Sequence, residues 1–229
     1  MLKGRFTALL GPNGAGKSTL FALITRLFDT RDGTIEIVGR DLSATGASAL
    51  APLGVVFQQT TLDLDLTVKQ NLRYFARLRG MSIREADRRI DEELTNFEMR
   101  ERARDKIRDL NGGHRRRVEI ARALLHDPEV VLLDEPTVGL DVPSRKAIVA
   151  RAHDLARERG LALLWATHLI DEILPGDDLI VLHRGRIVES GPMTEVIARH
   201  GGVSLDAAFA QLTGRGEQAG EPAGGEGEA

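Results

Sequence analysis

Gly11-Pro12-Asn13-Gly14-Ala15-Gly16-Lys17-Ser18 is the stretch whose reading decides the fold. It satisfies G-x-x-x-x-G-K-[ST] without a substitution. The apolar run Phe6 to Leu10 precedes it, and a helical apolar pattern from Ser18 to Phe28 follows. Strand, glycine loop and helix in that order wrap backbone N–H groups and a helix N-terminus around a polyphosphate. Lys17 is expected to reach the β and γ phosphates, and Ser18 to hold Mg²⁺. A dinucleotide-binding loop has another glycine spacing and no Lys-Ser pair. The stretch implies a nucleoside triphosphate site on an α/β fold.

Composition fits this. The 229 residues suffice for one large α/β domain or two small ones with a sizeable core. A net charge of -3 supplies no global basic field for nucleic acid, so no nucleic-acid partner is expected. The chain has no cysteine, which removes disulfides, thiolate metal sites and cysteine nucleophiles. No apolar run approaches the roughly 20 residues that span a bilayer, and the first residues lack the order of a signal peptide. A cytoplasmic location is expected, with any membrane role played by docking onto other subunits.

Outward from the glycine loop, strand-like runs alternate with helical periods. Thr34 to Val38 and Val55 to Phe57 read as strands. A mainly helical stretch from Thr67 to about Asp109 interrupts the alternation, so an inserted helical subdomain is expected over about 67–117. Thr67 with Gln70, and Ser82 with Glu85, have the spacing of capping boxes. Val130 to Leu133 has the continuous apolar character of a strand buried on both faces, and Leu161 to Trp165 repeats it after a helix over 143–158. Leu179 to Leu182 and Arg186 to Glu189 form a hairpin around Gly185. Thr194 and Ser204 are expected to cap late helices. From Thr213 onward the composition is Gly, Glu and Ala without apolar period, which reads as a disordered tail over 213–229 behind a domain of 1–212.

Asp134 and Glu135 stand where the buried run ends, at the binding edge of an open α/β sheet. Neighbouring strand residues point to opposite sides, so the two carboxylates can divide roles. Asp134 is expected to hold Mg²⁺ and Glu135 to act as general base toward water.

Pro136-Thr137-Val138-Gly139-Leu140-Asp141 follows these acids, and Leu110-Asn111-Gly112-Gly113-His114-Arg115-Arg116-Arg117-Val118-Glu119-Ile120-Ala121-Arg122-Ala123-Leu124 lies upstream. With the glycine loop, these resemble the ABC (ATP-binding cassette) ATPase family from about Arg5 to Leu212, with motifs in family order. The resemblance implies a P-loop α/β core with a helical subdomain, and an enzyme that hydrolyses ATP with Mg²⁺. Gly11 to Thr19 would bind ATP. Asn111, Gly112, Gly113 and His114 would cover ATP held by a second ATPase subunit. Gln58 matches the glutamine that senses Mg²⁺ and links to the membrane partner, His168 the histidine that contacts the γ-phosphate, and Asp141 the loop that couples the two sites. The implied partners are separate transmembrane permease subunits, of exporter type because Leu66 to Arg73 is similar to exporter cassettes. The alternative is a non-transport ABC ATPase acting on ribosomes or DNA, which usually carries paired cassettes or long inserts. Gly113 to Glu119 and Trp165 to His168 are further similar to cassettes associated with quinone-dependent alcohol oxidation. A GTPase would carry an Asn-Lys-x-Asp motif, which is absent.

Two positions depart from the family. Asn111 and His114 stand where Ser and Gln are usual. Asn111 can still cap a helix, and His114 is expected to make turnover pH-sensitive. Family members also usually have strands before the glycine loop with an aromatic that stacks on adenine, whereas Met1 to Arg5 holds none. A misassigned start or a truncation is the expectation, leaving an unpaired sheet edge. From 69 to 117 there are 15 Lys/Arg against 9 Asp/Glu, which reads as a solvated, salt-bridged face before it reads as a lipid-facing one.

Overall fold

The computed structural model describes residues 1–30 and 32–214. In chain order the elements are β1 (Phe6–Leu10), α1 (Lys17–Ile24), β2 (Glu36–Ile37), β3 (Arg40–Asp41), α2 (Leu42–Thr45), β4 (Leu53–Val56), α3 (Val68–Leu78), α4 (Ile83–Asn96), α5 (Gly112–Leu124), β5 (Val130–Asp134), α6 (Val142–Arg159), β6 (Ala162–Thr167), β7 (Asp178–His183), β8 (Arg186–Pro192), α7 (Met193–Arg199) and α8 (Leu205–Thr213). One sheet has the order β4-β5-β6-β1-β7-β8, parallel from β4 to β7, with β8 antiparallel at one edge.

The sheet is covered on both faces, so its central strands are apolar on both sides. Phe6, Ala8 and Leu10 of β1 join Val131 and Leu133 of β5 in the larger core, with α5 and α6. Leu9 and Leu132, one residue out of step, join Phe21 of α1 on the other face. This alternation fixes the register, because a shift by one residue would exchange the two faces.

Between β4 and β5 lie α3, α4 and α5. Thr67 and Gln70 form a complete capping box at α3, with Thr67 N donating to Gln70 Oε1 at 2.8 Å. Such a cap contributes about 1 kcal/mol. At α4, Ser82 accepts from Glu85 N without the reciprocal bond. Backbone bonds from Ile107 N to Leu66 O and from Val68 N to Asp105 O close the neck of this helical layer. Some of its charges pair within the layer: Arg73 with Asp87, Arg88 with Glu92, and Arg102 with Asp105.

Several boundaries differ from the sequence reading. α1 ends at Ile24 rather than Phe28, because Thr25 Oγ1 bonds back to Phe21 O at 2.7 Å and Arg26 turns the chain with φ 58. The strand expected over Thr34 to Val38 shrinks to Glu36–Ile37, closed against β3 through Val38 and Gly39 at φ 51 and 70. That pair of positive φ values makes a two-residue hairpin turn. α7 begins directly off β8 at Pro192, with Met193 N held by Asp177 O at 2.9 Å, so Thr194 is helical and caps nothing. Ser204 does cap α8. Thr213 is the last residue of α8, so the expected tail cannot begin there, and from Arg215 on it lies outside the described residues.

One buried histidine gives the fold a pH dependence. His153 of α6 stacks on Phe6 at 3.8 Å between centroids, its Nδ1 faces Val149 O at 2.9 Å, and its Nε2 faces both Asp177 oxygens. Both partners are acceptors, so the doubly protonated ring is the form that satisfies both of them. Burial pulls the pKa down, but the Asp177 hydrogen bond, the Val149 carbonyl and the Asp177 charge outweigh it and raise it above the ordinary value. A raised folded-state pKa contributes stability that is complete below the unfolded value of about 6.5 and is lost as pH rises through the folded value. Urea midpoints of the protein are expected to fall over that rise. His153→Gln should remove this fall, and equal pH slopes in the two proteins would show the pair to be uncoupled from folding.

Candidate functional site

The carboxyl ends of β4, β5, β6 and β1 carry Gln58, Asp134, His168 and the glycine loop to one edge of the sheet. That is where an open α/β sheet leaves a crevice. Gly16 at φ 108 sets the sharp entry into α1. The Lys17 side chain lies buried against its own loop, its Nζ donating to Gly11 O at 2.7 Å and Pro12 O at 3.3 Å. Ala15 O accepts from Gly185 N at 2.8 Å, which ties the loop to the β7–β8 turn.

Lys17 Nζ also lies 3.0 Å from Glu135 Oε1. Glu135 adopts φ 46, a left-handed conformation that costs a non-glycine residue about 1–3 kcal/mol. Its N–H is held by Ala166 O at 2.9 Å, one residue past the end of β5. The turn aims its carboxylate at three donors: Lys17, His168 Nδ1 at 3.3 Å and Gln58 Nε2 at 3.4 Å. Asp134 points elsewhere. Its Oδ2 accepts from Ser18 Oγ at 3.0 Å, and its Oδ1 is buried without a hydrogen-bond partner. Burial pushes the Asp134 carboxyl up, Ser18 opposes this, and the Glu135 charge adds to it. A carboxylate so placed gains from a nearby cation.

Asn13, Gly14, Gly16, Lys17, Ser18, Thr19, Gln58, Glu135, Val138 and His168 line one opening of about 520 Å³. Asn111, Gly112, Gly113 and His114 do not line it. Asn111 caps α5 by accepting from His114 N at 2.8 Å. Gly113 packs closely on α6, where a Cβ would lie 2.7 Å from Ser144 Oγ. Burial lowers the His114 pKa, and the charges of Arg102 and Arg117 lower it further. The pH sensitivity expected of this residue therefore moves to more acid conditions. Asp141 is exposed and caps α6 through Ser144 N and Oγ, both at 2.8 Å. Those bonds hold its pKa below the ordinary value.

Sequence reasoning missed Glu172. It is buried, its Oε2 accepts from Trp165 Nε1 at 2.9 Å and Thr167 Oγ1 at 2.6 Å, and its Oε1 accepts from Thr137 Oγ1. One carboxylate thus pins the residue before His168 to the turn after Glu135. Trp165 is core, as read from sequence, but its indole N–H needed this partner.

A family model described as ABC transporter matches residues 1–138, more than half of the chain. The chain belongs to this family. The linearmycin resistance ATP-binding protein LnrL of Bacillus subtilis is 36% identical over 204 residues, which are 89% of this chain and 65% of that protein. Nod factor export ATP-binding protein I of Neorhizobium galegae is 39% identical over 195 residues, 85% of this chain and 56% of its own. The chain thus spans 65% and 56% of the length of these two relatives. Among solved structures, an ATP-binding cassette in a dimeric post-hydrolysis state bound to ADP and Pi matches with TM-score 0.73 and 30% identity, covering 83% of this chain and 86% of that one. The sheet and helical layer are those of an ABC ATPase. Among the described residues no helix is long and apolar enough to cross a bilayer.

Proposed function

We propose that this ABC protein binds and hydrolyses ATP with Mg²⁺ and drives transport through separate transmembrane subunits. The carrying observation is that Lys17, Ser18, Gln58, Glu135 and His168 line one opening, and that Ser18 donates to the buried Asp134 beside it. Lys17 exchanges its loop carbonyls for phosphate oxygens, and the loop N–H groups and the start of α1 hold the rest of the polyphosphate. Ser18, Gln58 and Asp134 are the residues that would hold the metal, and the unpartnered Asp134 Oδ1 fits that role. Bound there, Mg²⁺ would neutralise charge that develops on the phosphates. Glu135 accepts the proton of the attacking water at its carboxylate, and His168 orients that carboxylate and reaches the terminal phosphate. Asn111 to His114, being outside this opening, serve the site of a second copy, and Asp141 couples the two sites.

The membrane partner is the finer part of the proposal. An apolar groove of about 370 Å³ lined by Leu27, Leu50, Val55, Phe57 and Phe75 opens behind the Gln58 segment and fits a docking helix of a transmembrane subunit. The chain then lies on the cytoplasmic face of the membrane. Relatives named for linearmycin resistance and Nod factor export favour export as the direction. The test is ATP titration and phosphate release with and without Mg²⁺. The protein should bind ATP and release phosphate only with the metal, and Lys17→Met should weaken ATP binding by ~10-fold or more through loss of a charge-assisted bond. Unchanged binding in that variant would remove the ATP assignment.

A further inference from the structure

Arg116 and Glu119 are buried charged residues that the chemistry above does not use. Both project from α5, the helix whose first turn begins at Gly112. Arg116 Nη1 donates to Phe57 O at 2.8 Å and its Nη2 to Gln58 O at 2.9 Å. Glu119 Oε2 receives Arg116 Nη1 at 2.7 Å, while its Oε1 accepts from Thr60 Oγ1 at 2.8 Å and Thr61 N at 3.0 Å. A turn further on, Arg122 donates to Thr61 O at 3.1 Å and Thr61 Oγ1 at 2.6 Å. The segment beyond β4 is therefore tied to α5 by side chains at 116, 119 and 122, and no sheet ladder holds it.

A buried ion pair is a poor device for stability alone, since apolar residues of equal volume often do as well. A guanidinium fork does fix direction, because its donors lie in one plane. The fork grips the backbone on both sides of the residue that faces Glu135. Gln58 Nε2 stands 3.4 Å from Glu135 Oε2, at the outer limit of a hydrogen bond. A displacement of a few tenths of an ångström makes or breaks that contact.

We infer that Arg116 and Glu119 are positioning residues that fix the reach of Gln58 toward Glu135, so that segment 57–61 moves with α5. A displacement of the Gly112–Gly113 turn is then carried along one rigid helix to the catalytic carboxylate. The kinetic part of this inference rests on the hydrolysis reading above, whereas the clamp itself does not.

Two measurements on the full chain test it. Hydrogen exchange without nucleotide reads the clamp: Arg116→Met should speed exchange over 57–62 by ~10-fold or more while β1 and α1 stay protected. Steady-state ATP turnover reads the consequence in a cycle of Gln58→Ala, Arg116→Met and the double variant. Each single variant should lower kcat by ~10-fold with KM within ~2-fold, as supporting residues commonly do. The double variant should be no slower than Gln58→Ala alone, the mark of residues acting through one contact. A kcat in Arg116→Met equal to the parent's, or losses that multiply to ~100-fold in the double variant, would overturn the inference. If Arg116→Met does not fold, Glu119→Gln replaces it in both measurements with the same expectations. If the parent turns over no ATP, the hydrolysis reading fails, and exchange alone decides: acceleration confined to 57–62 upholds the clamp, and unchanged exchange overturns it.

Discussion

Glu135→Gln is expected to lower ATP turnover by ~10²–10⁴-fold, the range in which a positioned base acts. The substitution keeps the volume and leaves an oxygen for Gln58 or His168, but removes the charge beside Lys17. With no carboxylate at 3.0 Å, Lys17 is freer to engage phosphate, so ATP affinity should hold or rise. The consequence in solution is an ATP-bound dimer that outlives its formation, read by size-exclusion with light scattering in ATP and Mg²⁺. Turnover within a few-fold of the parent would place the base elsewhere. A variant that stays monomeric at saturating ATP would speak against two copies sharing each site.

Glu172→Ala carries the largest expected effect on stability. It leaves Trp165 Nε1, Thr167 Oγ1 and Thr137 Oγ1 as donors in the core without their acceptor. Each buried donor left unpaired costs about 1–3 kcal/mol, so a loss of ~4 kcal/mol is expected from urea unfolding. Glu172→Gln keeps one carbonyl acceptor, and the hydroxyls can rotate to its amide, so it should lose about half as much. Trp165 is the sole tryptophan and reports directly on this network through its emission. Turnover should fall more steeply than the folded fraction, because Thr137 follows Glu135 and Thr167 precedes His168. An unchanged midpoint in Glu172→Ala would show that the three donors find other partners.

These residues mark where sequence reading ran out. The glycine loop before α1, the apolar run ending at Asp134 and the Thr67–Gln70 box are all patterns contained within a few residues of chain. Short-range reading failed at element ends decided by a distant group. α7 starts where Asp177 O takes Met193 N, and Thr194 loses its expected role to that contact. Glu172 gives no signal in Leu169-Ile170-Asp171-Glu172, where it looks like one more exposed acid. Its burial follows from donors on β6 and on the turn after β5, which only the packed sheet brings within reach.

The loop at Gly11 to Ser18 is sufficient by itself to predict a phosphate site, because backbone wrapping and a helix start are local geometry. The chemical types of the other participants, an amide at 58, carboxylates at 134 and 135 and an imidazole at 168, were equally present in the sequence. Their convergence was decided by tertiary structure alone. Placing β6 between β5 and β1 brings His168 and the Asp134–Glu135 pair beside the loop, and β4 at the sheet edge delivers Gln58. Strand order follows from burying two apolar faces at once, a property of the whole chain that no single stretch of it carries.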